Sequence, residues 1–270
     1  MTSPYYSENV IEIYHGDSRE IVPDLAAVDM IMTDPPYGHN NNNGDLIHVW
    51  EQALGRRKTT PEDARPIAND GPEANELARW LFKESRRLLK PGCCCCCCCC
   101  GGGGPDPQFA RWSLTLDEEL GFKHAVVWDK GGLGMGWHYR RNYEFVLVGM
   151  KPGAACKWNG GLTTPNVVRI RGIIPDRLDH PTPKPVSLMR FFIHLHSDLD
   201  DLVLDPFMGC GTTLIAAKSI GRRAIGIELE EKYCEMAAKK LAQGVLPFSS
   251  RTVPVLQQTD LYSDQSSREG

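Results

Sequence analysis

At 270 residues the chain is long enough to bury a substantial core as one large domain, and no second full domain is required. With 41% hydrophobic residues, 24% charged residues and a net charge of -4, it has the make-up of a soluble protein, and the mild acidity argues against a histone-like nucleic-acid binder while leaving room for an enzyme with a local basic face. No apolar run reaches the roughly 18 residues of a membrane span, and Met1 to Tyr6 lacks a basic region followed by an apolar stretch, so the cytoplasm is the expected location.

Short apolar runs alternate with helical patterns along the chain. The first, Ile11 to Tyr14, leads to Gly16-Asp17. The second, Val28 to Thr33, runs into Asp34-Pro35-Pro36-Tyr37-Gly38. Two prolines remove two backbone donors and fix two φ angles, so a carboxylate, exposed carbonyls and an aromatic ring project together at a strand end. In open α/β sheets ligands bind at such ends, and this set suits gripping a planar base by its amino group. The polar stretch from His39 to Pro72 follows; a loop of that length is expected to be an insertion with a function.

Leu77, Trp80, Leu81 and Leu88 then mark an amphipathic helix, and Lys90-Pro91-Gly92 gives a turn signal. Eight of the eleven cysteines form one run, Cys93 to Cys100. Adjacent strand residues point to opposite faces, and zinc sites usually combine a C-x-x-C turn with a distant pair, so the run reads as a buried strand of small apolar thiols. A second helix, with Asp106 as N-cap and Pro107 at its first position, carries Phe109, Trp112, Leu116 and Leu120. Strands follow at His124 to Trp128 and Phe145 to Val148, the latter inside a Gly/Pro-rich region, Gly131 to Asp179, suited to reading a partner. Arg56-Arg57-Lys58, Arg140-Arg141, Arg169 and Arg171 are basic residues that could meet phosphates, although solvated surface charge is the default for such clusters.

The next strand, Leu202 to Leu204, enters Asp205-Pro206-Phe207-Met208-Gly209-Cys210-Gly211-Thr212, a glycine turn that opens a helix. Glycines let a ligand approach the backbone closely. Glu228 ends the following strand, Ala224 to Ile227, 19 positions after Gly209, where dinucleotide-type folds place the acid that holds ribose hydroxyls. The third glycine of G-x-G-x-x-G is replaced by Leu214, and Asp205 places a carboxylate in the turn. An acidic turn repels pyrophosphate and favours a cofactor with a cationic ammonium, S-adenosylmethionine. Seven strands alternating with helices indicate a Rossmann-like, doubly wound, mostly parallel sheet. Residues 1–243 are expected to form one domain with insertions at 39–72 and about 131–179, and 244–270 to be a flexible tail.

Together these motifs resemble the S-adenosylmethionine-dependent DNA amino-methyltransferases of the permuted β group, in which the catalytic motif precedes the cofactor motif. Asp34 to Tyr37 matches the catalytic tetrapeptide, Asp205 to Thr212 the cofactor loop and Glu228 the ribose acid. Gly16-Asp17 resembles the motif whose acid lies near the adenine. His180-Pro181-Thr182-Pro183-Lys184-Pro185 resembles the segment lining the methionine end of the cofactor, with Pro183 where the family more often has glutamine, and Arg141 to Val148 resembles a late strand.

The resemblance implies S-adenosylmethionine as cofactor, double-stranded DNA as substrate, and methylation of adenine N6, with catalysis by Asp34, Pro35, Pro36 and Tyr37. Cofactor contacts fall to Asp17, Thr182, Lys184, Asp205, Phe207, Gly209, Gly211, Thr212 and Glu228. No resident metal is implied. A homodimer is compatible with the family, and the sequence does not identify a restriction endonuclease partner. The alternatives are cytosine N4, where the tetrapeptide more often begins with Ser; protein glutamine, where it typically begins with Asn; and a catalytically silent DNA-binding or metal-binding protein.

Overall fold

The computed structural model describes residues 3–39, 67–99, 108–132, 142–172 and 184–243. Its strands are β1 (Tyr6–Glu8), β2 (Ile11–His15), β3 (Val28–Thr33), β4 (Leu89–Cys99), β5 (Phe122–Asp129), β6 (Tyr143–Met150), β7 (Val167–Arg169), β8 (Leu202–Asp205) and β9 (Arg223–Glu228). All seven expected strands are present. The two additions, β1 and β7, are three residues each, too short to display an alternating pattern, and they form the sheet's two edges.

The sheet order is β1-β2-β9-β8-β3-β4-β6-β5-β7. From β2 to β4 the neighbours are parallel. β6 is antiparallel to both β4 and β5, and β7 returns parallel to β5. Helices α1 (Ser18–Ile21), α2 (Ala74–Leu88), α3 (Gln108–Glu119), α4 (Val186–His196), α5 (Thr212–Ser219) and α6 (Glu231–Ala242) complete the described elements. The expected start of α3 at Asp106 and Pro107 lies outside the described residues, as do Arg56-Arg57-Lys58, Arg140-Arg141, the tail and most of the 39–72 stretch.

Both faces of the sheet are covered. Met30, Met32, Cys94, Cys96 and Cys98 point to the face packed by Leu188, Phe192, Leu214 and Ala237 of α4, α5 and α6. Ile31, Cys93, Cys95 and Cys97 point to the face packed by Leu81, Phe82, Trp112 and Leu116 of α2 and α3. The cysteine run is therefore the buried strand expected of it, with the thiols of Cys93 to Cys98 divided between two cores by the period of two.

One expectation needs correction. Lys90-Pro91-Gly92 is not a turn before β4 but part of that strand. The register against β3 shifts between Val28↔Leu89 and Met30↔Cys94, so β4 bulges there. Gly92 takes φ +80°, and a side chain at that position would meet the Ala155 carbonyl oxygen at 2.3 Å. The bulge admits the segment after β6, whose backbone bonds to Gly92 through Lys151 and Lys157.

Candidate active site

β3 and β8 are neighbours, so the two motifs they feed emerge at the same carboxyl edge of the sheet. Thr33 ties them directly, its hydroxyl donating to Asp205 Oδ1 over 2.7 Å. The Phe207 amide donates to the same oxygen over 3.1 Å. Asp205 is thus turned inward rather than presented to a ligand, and burial pushes its carboxyl up to about 7. In this geometry its carboxylate braces the turn.

Beyond Asp205 the chain makes two left-handed steps, Gly209 (φ 50°) and Gly211 (φ 81°), and enters α5 at Thr212. At Gly211 glycine is doubly required, because a Cβ would lie 2.7 Å from that of Ala237. Cys210 packs in this loop, buried and 3.7 Å from the Thr212 hydroxyl. Glu228 at the end of β9 accepts the Gly209 amide at 3.0 Å on one oxygen and the Glu230 amide at 2.8 Å on the other. Burial raises its carboxyl above the usual value. The carboxylate oxygens keep acceptor capacity beyond these amides, so the acid can accept the hydroxyls of a vicinal diol.

β2 pairs with β9 so that His15 faces Glu228, and the Gly16 amide donates to the Glu228 carbonyl over 2.9 Å. Asp17 is therefore brought beside Glu228. Its carboxylate accepts the Arg19 amide at 2.8 Å as the cap of α1 and pairs with the Arg19 guanidinium. The next residue, Ser18, donates to the Pro206 carbonyl and links α1 to the cofactor turn.

The Asp34 to Tyr37 turn is pinned from outside by two residues that the sequence reading did not single out. Asp70 Oδ1 accepts the backbone amides of Tyr37, Gly38 and His39 at 2.9, 2.8 and 3.2 Å. Gln108, at the start of α3, donates to the Tyr37 carbonyl over 2.8 Å. Three amides converging on one buried oxygen fix the loop without a regular element, a device with no sequence signature beyond an acid before Gly71-Pro72.

Lys184 reaches the first acid of the Asp34 to Tyr37 turn. It is only 6% exposed, and its ammonium lies 2.9 Å from Asp34 Oδ2 and 3.4 Å from Glu144 Oε2. Lys130 adds a second cation 3.0 Å from Glu144 Oε1. Burial pushes the Asp34 carboxyl up, against the opposing pull of Lys184 and the Tyr37 hydroxyl, which donates to Asp34 Oδ1. Burial also works against the charge on Glu144, but Lys184 and Lys130 outweigh it and hold that carboxyl below its usual value. Lys184 stays firmly protonated, since Asp34 and Glu144 more than offset its desolvation. The ammonium also stands 5.1 Å from the centre of the Tyr37 ring, whose edge meets Trp112. Thr182 lies outside the described residues.

The arrangement offers an ionisable acceptor, a carbonyl and an aromatic ring on one side, and a glycine turn with a diol-binding acid on the other. It is matched among known proteins. A family described as "DNA methylase" (N6_N4_Mtase) matches residues 28–239, more than half of the chain. The Type II methyltransferase M.HindIII of Haemophilus influenzae is 38% identical, with 88% of this chain and 94% of the relative covered. The DNA adenine methyltransferase YhdJ of Escherichia coli K12 is 26% identical, with 85% of this chain and 82% of the relative covered. The crystal structure of the M1.HpyAVI-SAM complex is 28% identical and superposes with a TM-score of 0.59, covering 85% of this chain and 99% of that one. The chain belongs to the N6_N4 DNA methylase family, in its order with the catalytic strand before the cofactor strand.

Proposed function

We propose that this protein is a site-specific DNA methyltransferase that uses S-adenosylmethionine to methylate the N6 amino group of adenine. The observation that carries the reading is the partly buried Asp34 carboxylate beside Lys184, just past the end of the strand that neighbours β8 and the Asp205 to Thr212 turn. The relatives named above, one a DNA adenine methyltransferase and one a SAM complex, point the same way. When bound, S-adenosylmethionine supplies a methyl group activated on a sulfonium.

The remaining chemistry falls to the protein. An exocyclic amine is a poor nucleophile because its lone pair is delocalised into the ring. Asp34 accepts one N–H and the Pro35 carbonyl the other, turning the nitrogen lone pair toward the methyl group, while Pro36 fixes the backbone between Pro35 and Tyr37. The raised basicity of Asp34 suits it to take up the amine proton after transfer. No cysteine nucleophile is needed.

A base in duplex DNA must leave the stack, at a cost of a few kcal/mol. Tyr37 offsets this, since a base-aromatic stack is worth about 1 to 3 kcal/mol. For the cofactor, Glu228 takes the ribose hydroxyls, Asp17 lies toward the adenine, and Phe207, Gly209, Gly211 and Thr212 form the cradle with Thr182. Lys184 serves chiefly as the counter-ion of Asp34, and Asp205 as the residue that shapes the turn. Residues 1–243 act as one catalytic unit, with 131–179 reading the DNA. Among the described residues no helix is long and apolar enough to cross a membrane.

Duplex DNA incubated with the enzyme and labelled S-adenosylmethionine, then digested to nucleosides, should yield N6-methyladenine. N4-methylcytosine would transfer the reading to the alternative base. Asp34→Ala should abolish methyl transfer while leaving cofactor affinity within a few-fold, and a normal rate in that variant would overturn the mechanism.

A further inference from the structure

At the end of α4 remote from Lys184, three potential metal ligands meet that have no part in methyl transfer. Cys94 comes from β4, Cys156 from the segment after β6, and His196 from the last turn of α4; one ligand atom of each lies within 4.8 Å of the others. The two sulfurs are 3.6 Å apart. Two thiolates on a tetrahedral zinc, with Zn–S bonds of about 2.3 Å, stand roughly 3.8 Å apart, whereas a disulfide would require about 2.05 Å.

The histidine supplies an independent pointer. His196 is 5% exposed, and its Nδ1 is buried with no hydrogen-bond partner. An orphaned nitrogen on an imidazole beside two thiols is an unexplained cost in an ordinary core. A neutral imidazole has one ring nitrogen whose lone pair can serve a metal.

Contacts of the surrounding chain converge on this meeting. The bulge at Gly92 lets Ala155 and Cys156 approach β4. The Asn159 amide donates to the Leu195 carbonyl at 2.9 Å, and its side chain to the Ser197 carbonyl at 2.8 Å, fastening the segment to the end of α4. Trp158 packs against the His196 ring at 5.3 Å. Cys156 itself is exposed, which gives an ion and a solvent ligand a way in.

We propose that Cys94, Cys156 and His196 bind one zinc ion that pins the 151–159 segment to β4 and α4. Soft thiolates with a neutral imidazole select zinc over hard cations, and solvent completes the tetrahedron. Binding releases two thiol protons to solvent; two thiolates then balance the dication, so the buried site carries no net charge. The cysteine run thus contributes a single ligand, and its partners come from the fold.

The test is metal analysis of the whole protein purified in a phosphine reductant, with cobalt(II) titration of chelator-stripped protein. One equivalent of zinc and a thiolate-to-cobalt charge-transfer band are expected. Cys156→Ser, at an exposed position, should lose the band and weaken zinc binding at least tenfold, and His196→Asn should do the same. Zinc should raise the thermal midpoint of wild type but not of Cys156→Ser, while stripped forms of the two melt together. Less than a tenth of an equivalent in wild type, zinc content unchanged in Cys156→Ser, or a Cys94-Cys156 disulfide with no metal would each overturn the proposal.

Discussion

Two aspartates bracket β3, and both are paired with lysine, yet their settings differ. Asp29, near the amino end, accepts Lys90 at 2.8 Å, Lys157 at 3.4 Å and the Leu202 amide at 3.1 Å, and its carboxyl is lowered because these partners outweigh its desolvation. Its lysines are half to one-third exposed, and Lys157 is shared with Asp201 at 2.6 Å. Asp34, just past the carboxyl end, has its lysine almost wholly withdrawn from water and its own carboxyl raised. The pairing is alike and the solvent differs. At the amino end half- to one-third-exposed lysines clasp the sheet to the 151–159 segment; at the carboxyl end a lysine kept out of water faces a carboxylate that stays basic.

Exchanging the acids for amides should separate these tasks. Asp34→Asn is expected to lower kcat by at least about a thousandfold, roughly 4 kcal/mol, with cofactor affinity nearly unchanged in calorimetry. A rate within tenfold of wild type would remove the distinction between the two ends. Lys184→Met leaves two buried carboxylates without their shared cation, and should cost about 3 kcal/mol of stability in denaturant titrations. The same variant tests the pH argument. Methyl transfer requires ionised Asp34, so activity is lost as pH falls through its raised pKa; without the lowering influence of Lys184, the acid limb should move to still higher pH.

Asp29→Asn should cost only about 1 to 2 kcal/mol and leave the rate per folded molecule intact. Asp29 is lowered in the folded state, so its contribution is present above the ordinary aspartate value of 3.8 and is lost as pH falls through the folded value. Wild type and variant should therefore converge in stability on acidification. Lys90→Ala is the smallest change, about 0.5 kcal/mol, because Lys157 remains on the same carboxylate.

Much of the site was legible because its signals are local. Asp34 to Tyr37 and Asp205 to Thr212 each follow an apolar run with the length and flanks of a strand, and the glycines at 209 and 211 occupy left-handed positions, as a turn requires. Lys184 was visible only as part of a motif. Nothing in its neighbours announces that its ammonium would settle between Asp34, just past β3, and Glu144 on β6. Asp70 was equally hidden, since a lone acid in a polar loop has no pattern.

By itself, the sequence determined seven of the nine described strands, the order of the two motifs and the family, because hydrophobic period and turn chemistry act over a few residues. Tertiary structure alone decided which charges are buried together, which thiol of the run meets Cys156 and His196, and that Asp205 faces inward. Those outcomes depend on desolvation and on contacts between remote segments, which arise only when the sheet is assembled.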